Sequence, residues 1–201
     1  MAESMENSRY IQIVNTGKAL FWKHGLKRVT VEEICREAGV SKMTFYKFFP
    51  NKVVLAKTIY DRVVDEAYAR FKAVMYDENI TPVEKMQQIL IIKMEGSNDV
   101  SQEFMKDFYT NPELGLSEFV EEKSRNIWVE VIKDFKMAQE RGWLRNDFKP
   151  EGIFLIMSKF KDFFNDEGLV QMYDTPQELV MEIARLFTLG ILGREHGKNQ
   201  R

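Results

Sequence analysis

The stretch of residues 30–52, TVEEICREAGVSKMTFYKFFPNK, constrains the fold more than any other part of the chain. Thr30, with Glu33 three positions later, predicts a capped helix start, and the apolar residues that follow recur at helical spacing. Gly39 stands where a helix end favours a residue that tolerates positive φ. Ser41 can cap a second helix over 42–49, which Pro50 stops. The stretch therefore predicts a helix, a tight turn and a short helix, which is the helix-turn-helix arrangement.

Two opposite faces are expected on the second helix of this motif. Phe45 and Phe49 lie four positions apart and form the face that is directed to a core. The other side and the helix start would meet base edges and phosphates of DNA. This second set consists of Lys42, Met43, Thr44, Tyr46 and Lys47. Lys52 begins the next helix, where a cation and free backbone N–H groups can hold a phosphate.

Charge is distributed unevenly along the chain. Residues 1–60 carry ten basic and five acidic side chains, whereas the remaining residues carry nineteen basic and twenty-six acidic ones. A basic head on an acidic body is typical of a polyanion-binding module joined to a body that does not bind the polyanion. A basic patch can also be an ordinary solvated helix face, so charge alone does not decide between these interpretations.

The segments IVNTGKALFWKHG (13–25) and TVEEICREAGVSKMTFYKFFPNKVVL (30–55) resemble the DNA-binding head of the tetracycline-repressor-like (TetR) family of transcriptional regulators. The resemblance is confined to this first part of the chain. It implies an all-α protein with a three-helix helix-turn-helix head in residues 1–50. It further implies a six-helix body for effector binding and dimerisation in residues 51–201, and a homodimer.

The resemblance also implies roles for single residues. Thr30 and Tyr46 would contact phosphates, and Lys52 would anchor a phosphate near the start of helix 4. Met43 stands where the family commonly has a small residue, and it could make an apolar contact with a thymine methyl group. Together with the motif itself, the predicted DNA-binding residues are Thr30, Ser41, Lys42, Met43, Thr44, Tyr46, Lys47 and Lys52.

Helical periodicity continues through the rest of the chain. A helix over about residues 8–24 precedes the motif, and Gly25 ends it. Thr81-Pro82 and Thr175-Pro176 are start signals of later helices. The pattern predicts body helices over about 52–76, 82–95, 101–109, 115–141, 150–166 and 175–195.

The last two predicted helices are apolar over more than one face, as GIFLIMSKFKDFF and LVMEIARLFTLGIL show. A helix with a wide apolar arc must be covered on two sides. Since no later segment remains to cover the second side, we expect a homodimer that is formed through these two helices.

Aromatic residues and methionines are abundant in the central helices, and they predict an apolar pocket for a small-molecule effector. The acidic balance of the body favours a neutral or cationic ligand. The same residues at helical spacing could equally be ordinary core. The predicted ligand-binding residues are Phe71, Met75, Met94, Phe104, Tyr109, Trp128 and Phe160.

Other chemistry finds little support in the sequence. Ser158 and Thr188 have no His/Asp companions at a recognisable spacing, and glycine-rich nucleotide motifs are absent, so we predict no enzyme and no cofactor. Two histidines and one cysteine, widely separated, argue against a zinc site, although a carboxylate-rich metal site stays open. A single cysteine, no signal peptide and no long apolar run predict a cytoplasmic protein without a membrane span.

The function predicted from these features is a ligand-responsive transcriptional repressor. It would bind a palindromic DNA operator as a homodimer and be released by a small hydrophobic or cationic effector. The alternative is an all-helical small-molecule-binding protein or enzyme without a DNA role.

Overall fold

The computed structural model describes residues 2–163 and 166–192, and within these ranges the chain is built from helices joined by turns. The nearest approach to a sheet is one isolated antiparallel bridge between Leu144 and Leu192. This architecture confirms the all-α prediction. Among the described residues, no helix has both the length and the apolar content that a bilayer crossing requires.

Three helices form the head: α1 (Ala2–His24), α2 (Val31–Ala38) and α3 (Lys42–Phe48). Thr30 Oγ1 accepts a hydrogen bond from Glu33 N at 3.1 Å and so caps α2, and Ser41 Oγ caps α3 by accepting from Thr44 N at 3.1 Å. Gly39 ends α2 with a left-handed φ of 64°. The helix-turn-helix therefore forms where the caps and the glycine predict it, although α1 begins earlier than residue 8.

The long helix α4 (Lys52–Tyr76) joins the head to the body. Its first half contributes Leu55 and Ile59 to a core cluster that it shares with α1, α2 and α3. The same cluster continues into Phe104 and Val120 of the body. The division of the chain at residue 50 stays a prediction, because the hydrophobic packing is continuous across it.

The next body elements are α5 (Pro82–Gly96) and the short α6 (Gln102–Met105), which runs directly into a π-helical turn (Lys106–Thr110). The helix predicted over 101–109 is thus present but changes its winding half-way. Pro112–Leu114 then form a 3-10 turn before α7 (Ser117–Glu140).

The final elements are α8 (Pro150–Ser158), α9 (Phe160–Phe163), α10 (Glu167–Val170) and α11 (Pro176–Gly190). The helix predicted over 150–166 ends early, because Lys159 N bonds to Ile156 O three residues back and Ser158 Oγ donates to Leu155 O. Gly190 ends α11 within the described part, whereas residues 193–195 of the predicted helix lie outside it.

Candidate DNA-binding head and body cavity

The short helix α3 has the two faces that its sequence predicts. Phe45 is fully buried and Phe49 is 2% exposed, and both belong to the core cluster of the head. On the other side, Met43 is 84% exposed and Tyr46 is 54% exposed. The exposed face of α3 is therefore a surface that is available to a binding partner.

Lysines border this face on both sides. Lys42 Nζ pairs with Glu32 Oε2 at 3.2 Å, and Lys47 Nζ pairs with Glu6 Oε1 at 2.7 Å. In both pairs the lysine and the acid are largely exposed. Exposed ion pairs of this kind contribute about 0–1 kcal/mol. Phosphate groups can therefore replace these acids as partners of the two lysines at little cost.

The hydroxyl groups of the head are engaged in helix caps. Besides capping α3, Ser41 Oγ lies 2.9 Å from Thr44 Oγ1, and both side chains share one hydrogen bond. Thr30 is occupied in the same way at the start of α2. Thr30 Oγ1 accepts from a backbone N–H group, so its hydroxyl still has a proton to donate, and the Ser41–Thr44 pair has one such proton left for a phosphate or base.

Lys52 has a different environment from the one that the sequence suggests. Its ammonium donates to the backbone carbonyl oxygens of Leu26, Lys27 and Val29, at 2.8, 3.1 and 2.7 Å. Burial lowers the pKa of Lys52, and the charge of Asp107 opposes this shift. The three protons of Lys52 thus tie the start of α4 to the loop that follows α1. The phosphate contact of Lys52 stays a prediction.

A cavity of about 700 Å³ lies inside the body, between α4, α5, α6, α7, α8 and α11. Its volume falls in the range of small-molecule sites, roughly 300–1,000 Å³. The wall is mainly apolar and aromatic, and it includes four of the predicted ligand-binding residues. These are Phe71, Phe104, Tyr109 and Trp128.

The other three predicted ligand-binding residues lie elsewhere or are not described. Met75 is fully buried in the second core cluster and is absent from the cavity wall among the described lining residues. Met94 is 44% exposed and lies outside the described cavity wall, and its carbonyl oxygen accepts from Gln177 Nε2 at 3.0 Å. The side chain of Phe160 lies outside the described part of the structure. Helical spacing predicted that all three residues lie on helices, but it could not predict which face of each helix borders the cavity.

Several polar groups also line the cavity; sequence analysis predicted Tyr109 but missed Tyr60 and Lys93. Tyr60 and Tyr109 contribute their phenols, and burial raises the pKa of both. Lys93 of α5 contributes an ammonium group. The available signal for Lys93 was its position in the apolar run ILIIKM, where a lysine interrupts the inward residues.

A tryptophan of the head forms part of the same wall. Trp22 lies on α1, is 6% exposed and lines the cavity. Its ring centroid is 4.3 Å from that of Phe104, which is in turn 4.2 Å from that of Phe108. Aromatic pairs at these distances are in direct contact. The DNA-binding head and the cavity therefore share one continuous group of packed rings.

Backbone contacts reinforce this junction between head and body. Ser101 N donates to Trp22 O at 2.9 Å, and Lys27 N donates to Asp107 Oδ2 at 2.8 Å. Gly25 separates α1 from the following loop with a φ of 73°. A β-carbon at this position would lie 2.8 Å from Asp107 Oδ2 and 2.9 Å from Glu103 Cβ. The glycine thus allows α6 and the π-helical turn to pack closely on the end of α1.

A helix-turn-helix with an exposed aromatic and lysine-bordered face, packed on a hollow helical body, defines a DNA-binding regulator. Comparisons with known proteins agree with this assignment as a DNA-binding regulator. The family model "Bacterial regulatory proteins, tetR family" matches residues 13–59. The head at residues 13–59 is thus of the TetR type, and the chain resembles regulators of transcription.

Relatives and solved structures extend the likeness beyond the head. The HTH-type transcriptional repressor KstR2 of Mycobacterium tuberculosis is 22% identical over 154 residues, which are 74% of this chain and 75% of that protein. The HTH-type transcriptional regulator EthR of the same organism is 34% identical over 61 residues, 30% of this chain and 28% of that one. The structure of the fatty acid degradation regulator FadR from Bacillus halodurans matches with a TM-score of 0.68 at 15% identity, over 92% of this chain and 97% of that chain. At this identity the match establishes the fold.

Proposed function

We propose that this chain is a ligand-responsive transcriptional repressor. A homodimer binds a palindromic operator, and a small, mainly apolar effector releases it by entering the body cavity. The observation that carries this proposal is Trp22, because one ring belongs both to α1 of the head and to the wall of the cavity. A ligand that displaces the packed rings of Trp22 and Phe104 acts directly on the contact between α1 and the body.

Repression is proposed from the relatives. KstR2 of Mycobacterium tuberculosis is a transcriptional repressor by name and matches three quarters of this chain. The same role here places the protein in the cytoplasm with the DNA. The comparisons give no support to an all-helical binder or enzyme without a DNA role.

The proposed DNA surface consists of the exposed face of α3 and the caps of α2 and α3. Lys42, Met43 and Thr44 lie at the start of α3, where a recognition helix contacts base edges. Lys47 and Tyr46 lie on the exposed side of the same helix and are proposed as phosphate ligands. Thr30, Ser41 and Lys52 complete the proposed set of phosphate ligands, and for Lys52 a phosphate would replace one of its backbone carbonyl partners.

The dimer is proposed to form through α8 and α11. Leu155 and Ile156 on α8 are 64% and 51% exposed, and Leu186 and Leu189 on α11 are 68% and 54% exposed. An apolar surface of this kind marks an interaction site. Two-fold pairing of the same helices from two chains would cover it and would fix the distance between the two heads.

The test of this function is selection of duplexes from a random DNA pool, followed by titration of the selected duplex. We expect a palindromic motif whose half-sites are separated by one helical turn or a multiple of it, and binding that weakens steeply with salt. Thr44→Ala or Lys42→Ala should relax one or two positions of the motif, each by about 1–3 kcal/mol. The variant Arg70→Ala, on the body helix α4, is the control and should return the parental motif. Selection that returns no motif would contradict the proposal.

A further inference from the structure

Lys93 is an unusual residue in the wall of the body cavity. It lies in the last turn of α5, and the neighbouring positions Ile89 and Ile92 also line the cavity. Within residues 2–163 and 166–192, its ammonium group has no hydrogen bond and no ion pair. The side chain keeps accessible surface because it borders an empty space. A cation that faces a mainly apolar wall without an ionic partner loses part of its hydration, so a lysine at this place requires an explanation.

The surroundings of Lys93 disfavour its charge. Burial lowers the pKa of Lys93, and no nearby carboxylate compensates for it. Leucine or methionine would fill the same place in a helix without this cost. The C-terminal end of α5 stabilises a cation only weakly, by about 0.3–1 kcal/mol. A structural role therefore does not account for Lys93.

The remaining charged residues of the wall have the same bias. Arg125 and Lys159 contribute two further cations, and Glu121 is the acid among the described lining residues. The phenols of Tyr60 and Tyr109 are hydrogen-bonded to each other with Tyr60 as the donor, so the Tyr109 phenol can donate a hydrogen bond to an anion. The excess of acidic side chains in the body was the reason to expect a neutral or cationic ligand. Among the described residues, this excess lies outside the cavity wall.

We propose that the cavity binds an amphipathic carboxylate, with its apolar part against the aromatic wall and its carboxylate paired with the Lys93 ammonium. This inference rests on the proposed function, since it names the chemical class of the effector. The Lys93 ammonium has no ionic partner among the described residues, so it can pair with a carboxylate without breaking an existing ion pair. Both groups lose water on binding, and the mainly apolar wall strengthens the charge-assisted hydrogen bond that replaces it.

The experiment compares three probes with the same ten-carbon chain: decanoate, 1-decanol and decylammonium. Affinities for the full-length protein are measured by quenching of tryptophan fluorescence, because Trp22 and Trp128 line the cavity. We expect decanoate to bind roughly ten- to a hundredfold more tightly than 1-decanol, which corresponds to one charge-assisted hydrogen bond. Decylammonium should bind most weakly.

Two variants assign this preference to Lys93. Lys93→Met keeps the length of the side chain and should reduce decanoate binding to the level of 1-decanol, while 1-decanol binding is unchanged. Lys93→Arg should retain the preference. Lys149→Met removes an exposed lysine outside the cavity wall and is the matched control, so it should behave as the parent does.

Separate readouts distinguish this inference from the proposed function. Equal binding of decanoate and 1-decanol by the parent, or an unchanged decanoate preference in Lys93→Met, would overturn the carboxylate site. If decanoate binds through Lys93 but leaves operator affinity unaltered, the site stands and ligand responsiveness fails. If a neutral compound releases the operator and decanoate does not bind, the regulator stands and the carboxylate site fails.

Discussion

At the scale of single residues, Lys52 shows how one cation can join two parts of the head. Its ammonium reaches three carbonyl oxygens, those of Leu26, Lys27 and Val29, which would otherwise lack partners at the end of α1 and in the loop after it. The sequence suggested a phosphate ligand, because a lysine at a helix start has the right charge and position. What the sequence could not show is that the preceding loop folds back over this side chain.

Lys52→Met should therefore destabilise the protein. Loss of hydrogen bonds from a charged donor costs about 1.5–3 kcal/mol. Urea unfolding would measure the change, with Lys23→Met on the exposed surface of α1 as control. The phosphate prediction has its own readout, since loss of a phosphate contact lowers the salt slope of DNA binding by about one unit. A lowered slope with unchanged stability would mean that Lys52 binds DNA and does not tie the head together.

Lys93 gives a prediction about pH. Because its pKa is lowered in the folded state, the unfolded chain binds a proton more readily over the interval between the folded pKa and the ordinary lysine value, about 10.4. The free energy of unfolding attributable to Lys93 therefore rises as pH rises through this interval. Lys93→Met should be more stable than the ligand-free parent at neutral pH, and this advantage should shrink towards alkaline pH.

Thermal unfolding of parent and variant between pH 7 and the alkaline limit of folding would measure the difference. The other titratable groups of the cavity are present in both proteins, so the comparison isolates the lysine; these groups are Tyr60, Tyr109, Glu121, Arg125 and Lys159. A parent that is more stable than Lys93→Met throughout would show that Lys93 has a stabilising partner.

At the scale of elements, the end of the chain around α11 contains both exposed and buried apolar residues, which the sequence does not distinguish. Leu186 is 68% exposed, whereas Ile191 directly after the helix is 7% exposed and belongs to the second core cluster. Leu186→Arg should split the homodimer and leave the fold intact. Ile191→Arg should unfold the chain, because it buries an unpaired charge. Sedimentation and circular dichroism would measure the two results, and an intact dimer in Leu186→Arg would place the interface elsewhere.

The predictability of these elements follows from the range of the interactions that form them. Caps, turns and helical spacing are local, and so the helix-turn-helix and its inward pair Phe45 and Phe49 could be predicted. The cavity is formed by packing of six helices, so spacing alone could not separate Phe71, in its wall, from Met75, in the solid core next to it. The π-helical turn after α6 had no local signal either.

At the scale of the whole molecule, the end of α1 is the place where ligand and DNA can affect each other. Gly25→Ala would put a β-carbon within 3.1 Å of the Glu103 backbone as well as against Asp107. Gly142 has a similar φ of 71° with nothing within 4 Å of its would-be β-carbon, so Gly142→Ala is the matched control. Both substitutions incur the left-handed penalty of about 1–2 kcal/mol.

We expect Gly25→Ala to lose more stability than the left-handed penalty alone, because the added β-carbon forces α6 away from α1. For the same reason we expect it to lose operator affinity. Urea unfolding and DNA titration would measure both effects, and the control should bind the operator as the parent does. Identical losses of stability in the two variants, with operator affinity unaffected, would show that the junction tolerates displacement and does not couple the head to the cavity.

The shared core at α4 has a consequence for how such proteins can be recombined. Leu55 and Ile59 pack with the head, and the same cluster reaches Phe104 and Val120 across the chain. A chimera cut at residue 50 would join a head to an α4 surface shaped for another partner. A transplanted head would therefore need the first half of its own α4 and a matching α6. In this protein the DNA-reading unit that could be exchanged as a module is discontinuous in sequence.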